Sequence, residues 1–562
     1  MRTNKPPHTN RFSRSKENDC ENALSLMARG DHEGALARLE AVLAKEPDNL
    51  QALVNKGVCL DALGQFDRAA RHLQSVHERA PSHPLILKLC AQVFGRTSYF
   101  DVALKFWSLY TKAKPDDYEA WTSMTSVALR LGKSVPAVMF ATQALALKPQ
   151  HPHAYNNLGS ALMALNRLDD AEQALETAVA LEPGHVLALA NLALLSHLRG
   201  DHKEAVRVYE SLNPERNLEP TAMAEFFFRS SFAYLGAGQL KEGWRRYDYG
   251  LEVKDKSARW PQRKLAVPRW TGEPLGDKRL LVWGEQGLGD ELWFYGLLHE
   301  LQAHCQNILL ECDPRLVSLL QRSFPDITVR AQNRKGLVER QDYDTHIYDT
   351  HIPAGSLMGI FRTNIDDFKR YRPYIKPDPK LVKDFSHRLK PYAGKKLVGL
   401  CWRSGVVNPH RIKQYMVLND FSEILQNPDY MVVNLQYGDC EAEVLRVEQA
   451  LGIHVVRWAD VNLKDDQEAL AALMSQLDVV LAPSTAVQRL ASAVGVQMIS
   501  FSHKDWTAFG QEYAPCASNE EHIYPDAAQP LTTVLPRILS SLKVIGTRDP
   551  SSYGLEGCIG AD

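Results

Sequence analysis

Proline recurs at Pro47, Pro81, Pro115, Pro149 and Pro183, and alanine at Ala35, Ala69, Ala103, Ala137, Ala171 and Ala205, each series at intervals of 34 residues. A period of that length marks helix-turn-helix units, each too small to bury its own apolar face and completed by stacking on its neighbours. The local chemistry agrees. In AYNNLGSALMALNRLDDAEQALETAVALEP, Tyr155, Leu158 and Leu162 form one apolar stripe, and Ala171, Leu175 and Ala178 form the next. The recurring alanine lets two helices approach, and the proline ends the second helix. Gly30, Gly64, Gly132 and Gly200, with Asn166 at the equivalent place, suit left-handed turns between them.

These residues resemble the tetratricopeptide repeat over positions 17–217, with partial signatures at Trp121 and at Tyr155-Asn156-Asn157-Leu158-Gly159. Residues 218–270 read as a drifted helix pair and linker that caps the array. Residues 1–16 read as a disordered tail, and 546–562 as a tail with no evident role. Asn55, Asn157 and Asn191 share one repeat position. In the repeat arm of the O-linked N-acetylglucosamine transferases, asparagines at that position line a groove and hold an acceptor backbone. The resemblance implies the same role here, since an amide side chain both donates to and accepts from an extended peptide. The alternative is a consensus asparagine with no ligand.

The net charge of -2 provides no field for nucleic acid or an anionic membrane. Nine scattered cysteines without a CxxC pair read as free thiols of a reducing compartment. With no apolar N-terminal segment and no run long enough to span a bilayer, the expectation is a cytoplasmic protein.

From about residue 275 the pattern becomes strand then helix. KRLLVWG and NILLEC, then KKLVGLCW, YMVVNLQYG, HVVRWA, LDVVLAP and VQMISF, read as buried strands separated by helices. The expected architecture is an α-solenoid followed by two α/β Rossmann-like lobes, 271–375 and 376–545, joined near the proline-rich YRPYIKPDPK.

After the first strand comes GEQGLGDE. Its glycine spacing fits neither a dinucleotide fingerprint nor a Walker loop. The ordered blocks LVWGEQGLGDE, YDTHIYDTHIPAGSL, VGLCWRSG, VVNLQYGDC and LDVVLAPSTAVQRLASAVG are more specific. They resemble repeat-bearing bacterial GT-B glycosyltransferases with a heptosyltransferase-like catalytic half, most of all those that glycosylate flagellin. The resemblance makes Asp290 the candidate catalytic base, with Glu285 and Glu291 as rivals. It places Gly287, Gly289, Glu291, His351 and Ser356 on the acceptor side. A carboxylate in a partly dry cleft can take the proton of an attacking hydroxyl. The bland alternative is a tight turn with Asp290 as a helix N-cap.

On the donor side, Ser484 and Thr485 open a helix whose N–H groups suit phosphate. Arg403, Ser404, Arg411 and Lys413 follow another strand, and Gln436 ends a third. The family's Asp-Thr-Ala-Val-Ala-His is here Ser484-Thr485-Ala486-Val487-Gln488-Arg489. Losing an acid and gaining a cation argues against ADP-heptose and fits an acidic CMP-linked sugar such as pseudaminic acid better. The pairs Asp344/His346 and Asp349/His351 sit in too short a run to converge on a metal, and a GT-B enzyme requires none. The function implied is transfer of a nucleotide-activated sugar to Ser or Thr of a protein, flagellin foremost, with no other cofactor, no nucleic acid and no membrane. The alternatives are a non-catalytic scaffold and a transferase for small or lipid-linked glycans.

Overall fold

The computed structural model describes residues 11–253, 258–261, 263, 265–333, 347–405, 414–515, 518–526 and 529–547, with side chains described from residue 20 and apart from 216 and 217. Two compact units divide the chain, 1–192 and 193–562. Among the described residues no helix is long and apolar enough to cross a membrane.

Helices run through the first unit in antiparallel pairs: α1 (Arg11–Ala28), α2 (His32–Lys45), α3 (Leu50–Ala62), α4 (Phe66–Arg79), α5 (Pro84–Arg96), α6 (Phe100–Ala113), α7 (Tyr118–Arg130), α8 (Ser134–Leu147), α9 (Pro152–Ala164), α10 (Leu168–Leu181) and α11 (Val186–Leu198), the last crossing into the second unit. The six periodic alanines are fully buried. A Cβ on Gly159 would lie 2.6 Å from the Leu175 side chain, so the glycine is a packing requirement. Each residue before a periodic proline leaves the helical region, with φ of -134° at Glu46, -140° at Ala80 and -138° at Lys148. This is the clash between the proline ring and the preceding residue. The hairpin turns carry positive φ at Gly30, Gly64, Gly132, Asn166 and Gly200, and also at Ser98 with φ 64°. Ser98 completes the series at a place where the residue type gives no cue. Helix α1 starts at Arg11, inside the segment expected to be a tail.

The second unit opens with α12 (His202–Ser211), α13 (Pro214–Asn217), α14 (Pro220–Gly236) and α15 (Leu240–Tyr247). The α14–α15 pair packs into the same core as the sheets that follow: Trp244 is buried and its indole donates to the Arg362 carbonyl at 3.0 Å. It therefore serves as a wall of the sheet body. β1 (Leu280–Trp283), α16 (Leu288–Tyr295), α17 (Leu298–Gln302), β2 (Ile308–Cys312), α18 (Val317–Ser323), β3 (Thr328–Ala331), β4 (Thr350–Pro353) and α19 (Leu357–Phe361) build a parallel sheet of order β3-β2-β1-β4. After α20 (Pro379–Leu389) come β5 (Lys396–Leu400), α21 (Ser422–Leu425), β6 (Tyr430–Asn434), α22 (Glu441–Leu451), α23 (Gln467–Met474), β7 (Val479–Ala482), α24 (Ala486–Val494), β8 (Gln497–Phe501), β9 (Glu520–Ile523) and α25 (Leu535–Val544). Their strands form a second parallel sheet, β6-β5-β7-β8-β9.

HVVRWA is not a strand. Val456 makes a single bridge to Val433 at the sheet edge, while Arg457 is held by Glu441 at 2.8 Å and Glu448 at 2.8 Å. The fifth strand is instead β9, Glu-Glu-His-Ile, too polar to stand out as an apolar run. The proline-rich connection is extended and tied down, with the N–H groups of Tyr374 and Ile375 donating to the Ala493 carbonyl at 2.8 and 2.9 Å.

Candidate functional site

Parallel sheets gather their loops at the C-terminal ends of the strands. After β1 the chain turns through Glu285, which is fully buried. It accepts from Arg259 Nε at 2.6 Å and from the Gly355 N–H at 2.8 Å. Arg259 also donates to Asp248 at 2.5 Å and to Ser356 Oγ at 2.9 Å, and the Ser356 hydroxyl donates to Asp248 at 2.7 Å. Glu285 and Ser356 are thus framework, bound to a strap that precedes β1. Glu291 points into the core and accepts the Asp313 N–H at 2.8 Å. Of the three acids in the loop, two are spent on structure.

Gln286 has φ 61°; its N–H donates to the Trp260 carbonyl and its side-chain amide donates to the Tyr247 hydroxyl. Gly287 is the N-cap of α16, and Asp290 sits at the third helical position, accepting the Gly287 N–H at 3.1 Å. Asp290 is half-buried in the first turn of the helix. It is not the N-cap that the bland reading expected. His351 lies away from the loop on β4, accepting from the Trp283 indole at 3.2 Å; burial, with Arg269 and Arg263 nearby, holds its pKa down to about 4.

Gly289 brings the two sheets' loops together: a Cβ there would lie 3.3 Å from the Ala486 Cα. The first turn of α16 therefore touches the first turn of α24. Thr485 is the N-cap of α24, and its hydroxyl turns back to the Pro483 carbonyl at 3.2 Å. Among the described residues no side-chain hydrogen bond caps the helix, and Gly289 packs over its first N–H, the Cβ position lying 3.4 Å from Ala486 N. Ser484 is exposed beside it. The substituted Gln488 is buried and bonds Glu520, while Arg489 stacks 4.6 Å over the Trp293 ring. Burial of Glu520 works toward the neutral acid, but His522, Arg489 and Gln488 outweigh it and hold the carboxyl at about 2.

At the end of β5, the Gln436 side-chain oxygen accepts the N–H groups of Trp402 and Arg403 at 3.1 and 3.0 Å. Arg403 pairs with Glu443 at 3.0 Å, and Ser404 Oγ lies 3.3 Å from the Tyr437 hydroxyl. Arg411, Lys413, Asp344 and His346 lie outside the described residues. A cavity of about 690 Å³ adjoins Gln436, lined also by Tyr437, Cys440, Arg457, Trp458 and Asn462. It arises where HVVRWA leaves the sheet edge, and nothing in the residue pattern announces it. The strap residues Tyr247, Asp248 and Arg259 were equally unsignalled.

In the first unit, Asn191 Nδ2 donates to Asn156 Oδ1 at 2.8 Å and to Ser160 Oγ at 3.0 Å; Asn156 Nδ2 reaches Asn157 Oδ1 at 3.3 Å; and Asn157 Nδ2 reaches Ser126 Oγ at 3.1 Å. Amide and hydroxyl groups thus run in a row across α7, α9 and α11. Asn55, three repeats away, is buried with its Nδ2 unpartnered and its Oδ1 accepting from Gln51 at 3.1 Å.

Comparison with known proteins matches this architecture in its first half. Tetratricopeptide repeat models fit residues 26–93 and 128–180, and 156–217, so that half carries tetratricopeptide repeats. Protein FlbA of Caulobacter vibrioides is 26% identical over 470 residues, which span 82% of this chain and 78% of FlbA. Among solved structures, a tetratricopeptide repeat protein from Parabacteroides merdae is 18% identical over 43% of this chain and 94% of its own, with a TM-score of 0.38. YrrB, described as a TPR protein with an unusual peptide-binding site, is 18% identical over 32% of this chain and 96% of its own, with a TM-score of 0.30.

Proposed function

We propose that the chain is a protein O-glycosyltransferase of GT-B architecture. It moves a sugar from a nucleotide donor to a Ser or Thr hydroxyl of a protein bound by the repeats, flagellin being the acceptor implied by the resemblance. The observation that carries this reading is the contact between Gly289 and Ala486, which sets the half-buried Asp290 and the uncapped start of α24 side by side. In the reaction, the hydroxyl oxygen bonds to the anomeric carbon and its proton passes to the Asp290 carboxylate. The carbon–oxygen bond to phosphate breaks, and the leaving phosphate takes the electron pair, stabilised by the α24 N–H groups. The cavity at Gln436 and Trp458 is suited to a nucleoside, with an aromatic wall and amide groups at its edge.

A panel of CMP, CDP, UDP, ADP and GDP, titrated by calorimetry, tests the donor site. One nucleotide should bind with one-to-one stoichiometry and slow alkylation of Cys440, which lines the cavity. Binding by none of them would reject the reading. A scaffold is the second reading, favoured by the pairing of Arg403 with Glu443, which occupies a cation that a donor phosphate would need. It predicts acceptor binding without any nucleotide-dependent change in acceptor mass.

A further inference from the structure

We propose that His153, Glu182 and His185 form a binding site for a borderline divalent transition-metal ion, Zn2+ or Ni2+, that staples two successive repeats of the first unit. His153 is the second residue of α9, Glu182 caps the C-terminus of α10, and His185 immediately precedes α11. The His-Pro-His and Glu-Pro-Gly-His segments that hold them occupy the same kind of inter-repeat turn. His153 Nδ1 and His185 Nε2 are 3.0 Å apart, and one donor atom from each of the three residues lies within 4.8 Å of the others. A tetrahedral ion with bonds of about 2.0–2.1 Å needs donors roughly 3.3 Å apart, so small side-chain rotations close the set around an ion. Two imidazoles and a carboxylate select a borderline ion over Ca2+ or Mg2+.

The competing explanation is a plain histidine–histidine hydrogen bond, with the proton on His185 Nε2. His185 Nδ1 accepts the Ala188 N–H at 3.2 Å, which favours that tautomer. Ligation through Nε2 puts the proton on Nδ1, opposite the Ala188 N–H, so the ring must turn off that N–H, which keeps its bond to the His185 carbonyl at 3.1 Å. His153 and Glu182 are exposed, which gives an ion a path in. His151 lies outside the set: its Nδ1 accepts the Ala154 N–H at 3.2 Å, and its ring lies 5.1 Å from that of Tyr118 and 5.8 Å from that of His153. Asn156 and Asn157 lie within one turn of His153 on α9, and Asn191 is on α11. An ion here would therefore fix the spacing of the two helices that bear most of the amide row.

The test uses the full chain without an affinity tag, freed of metal by a chelator. Calorimetry with Zn2+ and visible absorption with Co2+ are run on wild type, His153→Ala and His185→Asn. The first variant changes an exposed residue, and the second keeps a side chain able to cap α11. Expected are one equivalent bound by wild type, Co2+ bands without thiolate charge transfer, and affinity weakened about tenfold or more in both variants. A rise in melting temperature with Zn2+ should appear in wild type and vanish in His153→Ala. No saturable binding by wild type, equal binding by both variants, or thiolate bands that survive the substitutions would each overturn the proposal.

Discussion

Ser98 holds a left-handed backbone at a place where four repeats use glycine and one uses asparagine. A non-glycine residue there bears a steric cost, so Ser98→Gly should stabilise the chain by roughly 1 kcal/mol, read from denaturant midpoints. At Ala171, which has no exposed surface, Ala171→Leu should cost about 1–3 kcal/mol by overpacking. The loop acids separate by the same kind of reasoning. Glu285→Gln removes the charge facing a fully buried Arg259 and should destabilise the second unit by about 3–5 kcal/mol. Asp290→Asn loses one acceptor at a helix start, an effect of about 1 kcal/mol or less on melting, yet should lower transfer by about 10²–10⁴. Asp290 could be singled out from the sequence because its block resembled a family. That Glu285 and Glu291 were committed elsewhere could not, because Arg259 and the Asp313 N–H reach them only through the fold.

Among the elements, the solenoid was legible through its period, which repeats in residues that pack or turn, and missed only where that period has no marker, at the start of α1 and at the Ser98 turn. The sheets were legible where strands are apolar on both faces, as in β5 and β7. They were not legible at the edges: β3 and β9 are half-solvated and polar, and the apolar HVVRWA left the ladder to wall a cavity. Two histidine–histidine contacts mark the helical elements, His153 with His185 and His197 with His202, the latter pair 3.0 Å apart. Burial lowers the pKa of both partners of the second pair, with His197 reaching about 3 against an ordinary 6.5. The unfolded chain therefore binds more protons below pH 6.5, and stability present above that pH is lost as pH falls toward about 3. Urea titrations at pH 7.5, 6 and 5 should show stability falling by up to about 1.4 kcal/mol per pH unit for each ring that stays neutral in the fold. His197→Phe should flatten that slope; an unchanged slope would mean the ring is charged in the fold.

For the molecule as a whole, a near-neutral chain offers an uncharged amide row as its acceptor-binding candidate. Acceptor affinity should then vary little between low and physiological salt, and Asn157→Ala should weaken it by about 1 kcal/mol, roughly fivefold. In the proposed function the sheets transfer a sugar and the repeats hold the recipient. Intact-mass spectrometry of flagellin from a strain lacking this chain, complemented with wild type or with Asp290→Asn, tests it most directly. Flagellin should lose the mass of one or more sugars in the deletion, regain it with wild type and not with Asp290→Asn. Flagellin of unchanged mass in the deletion strain would contradict the proposed function.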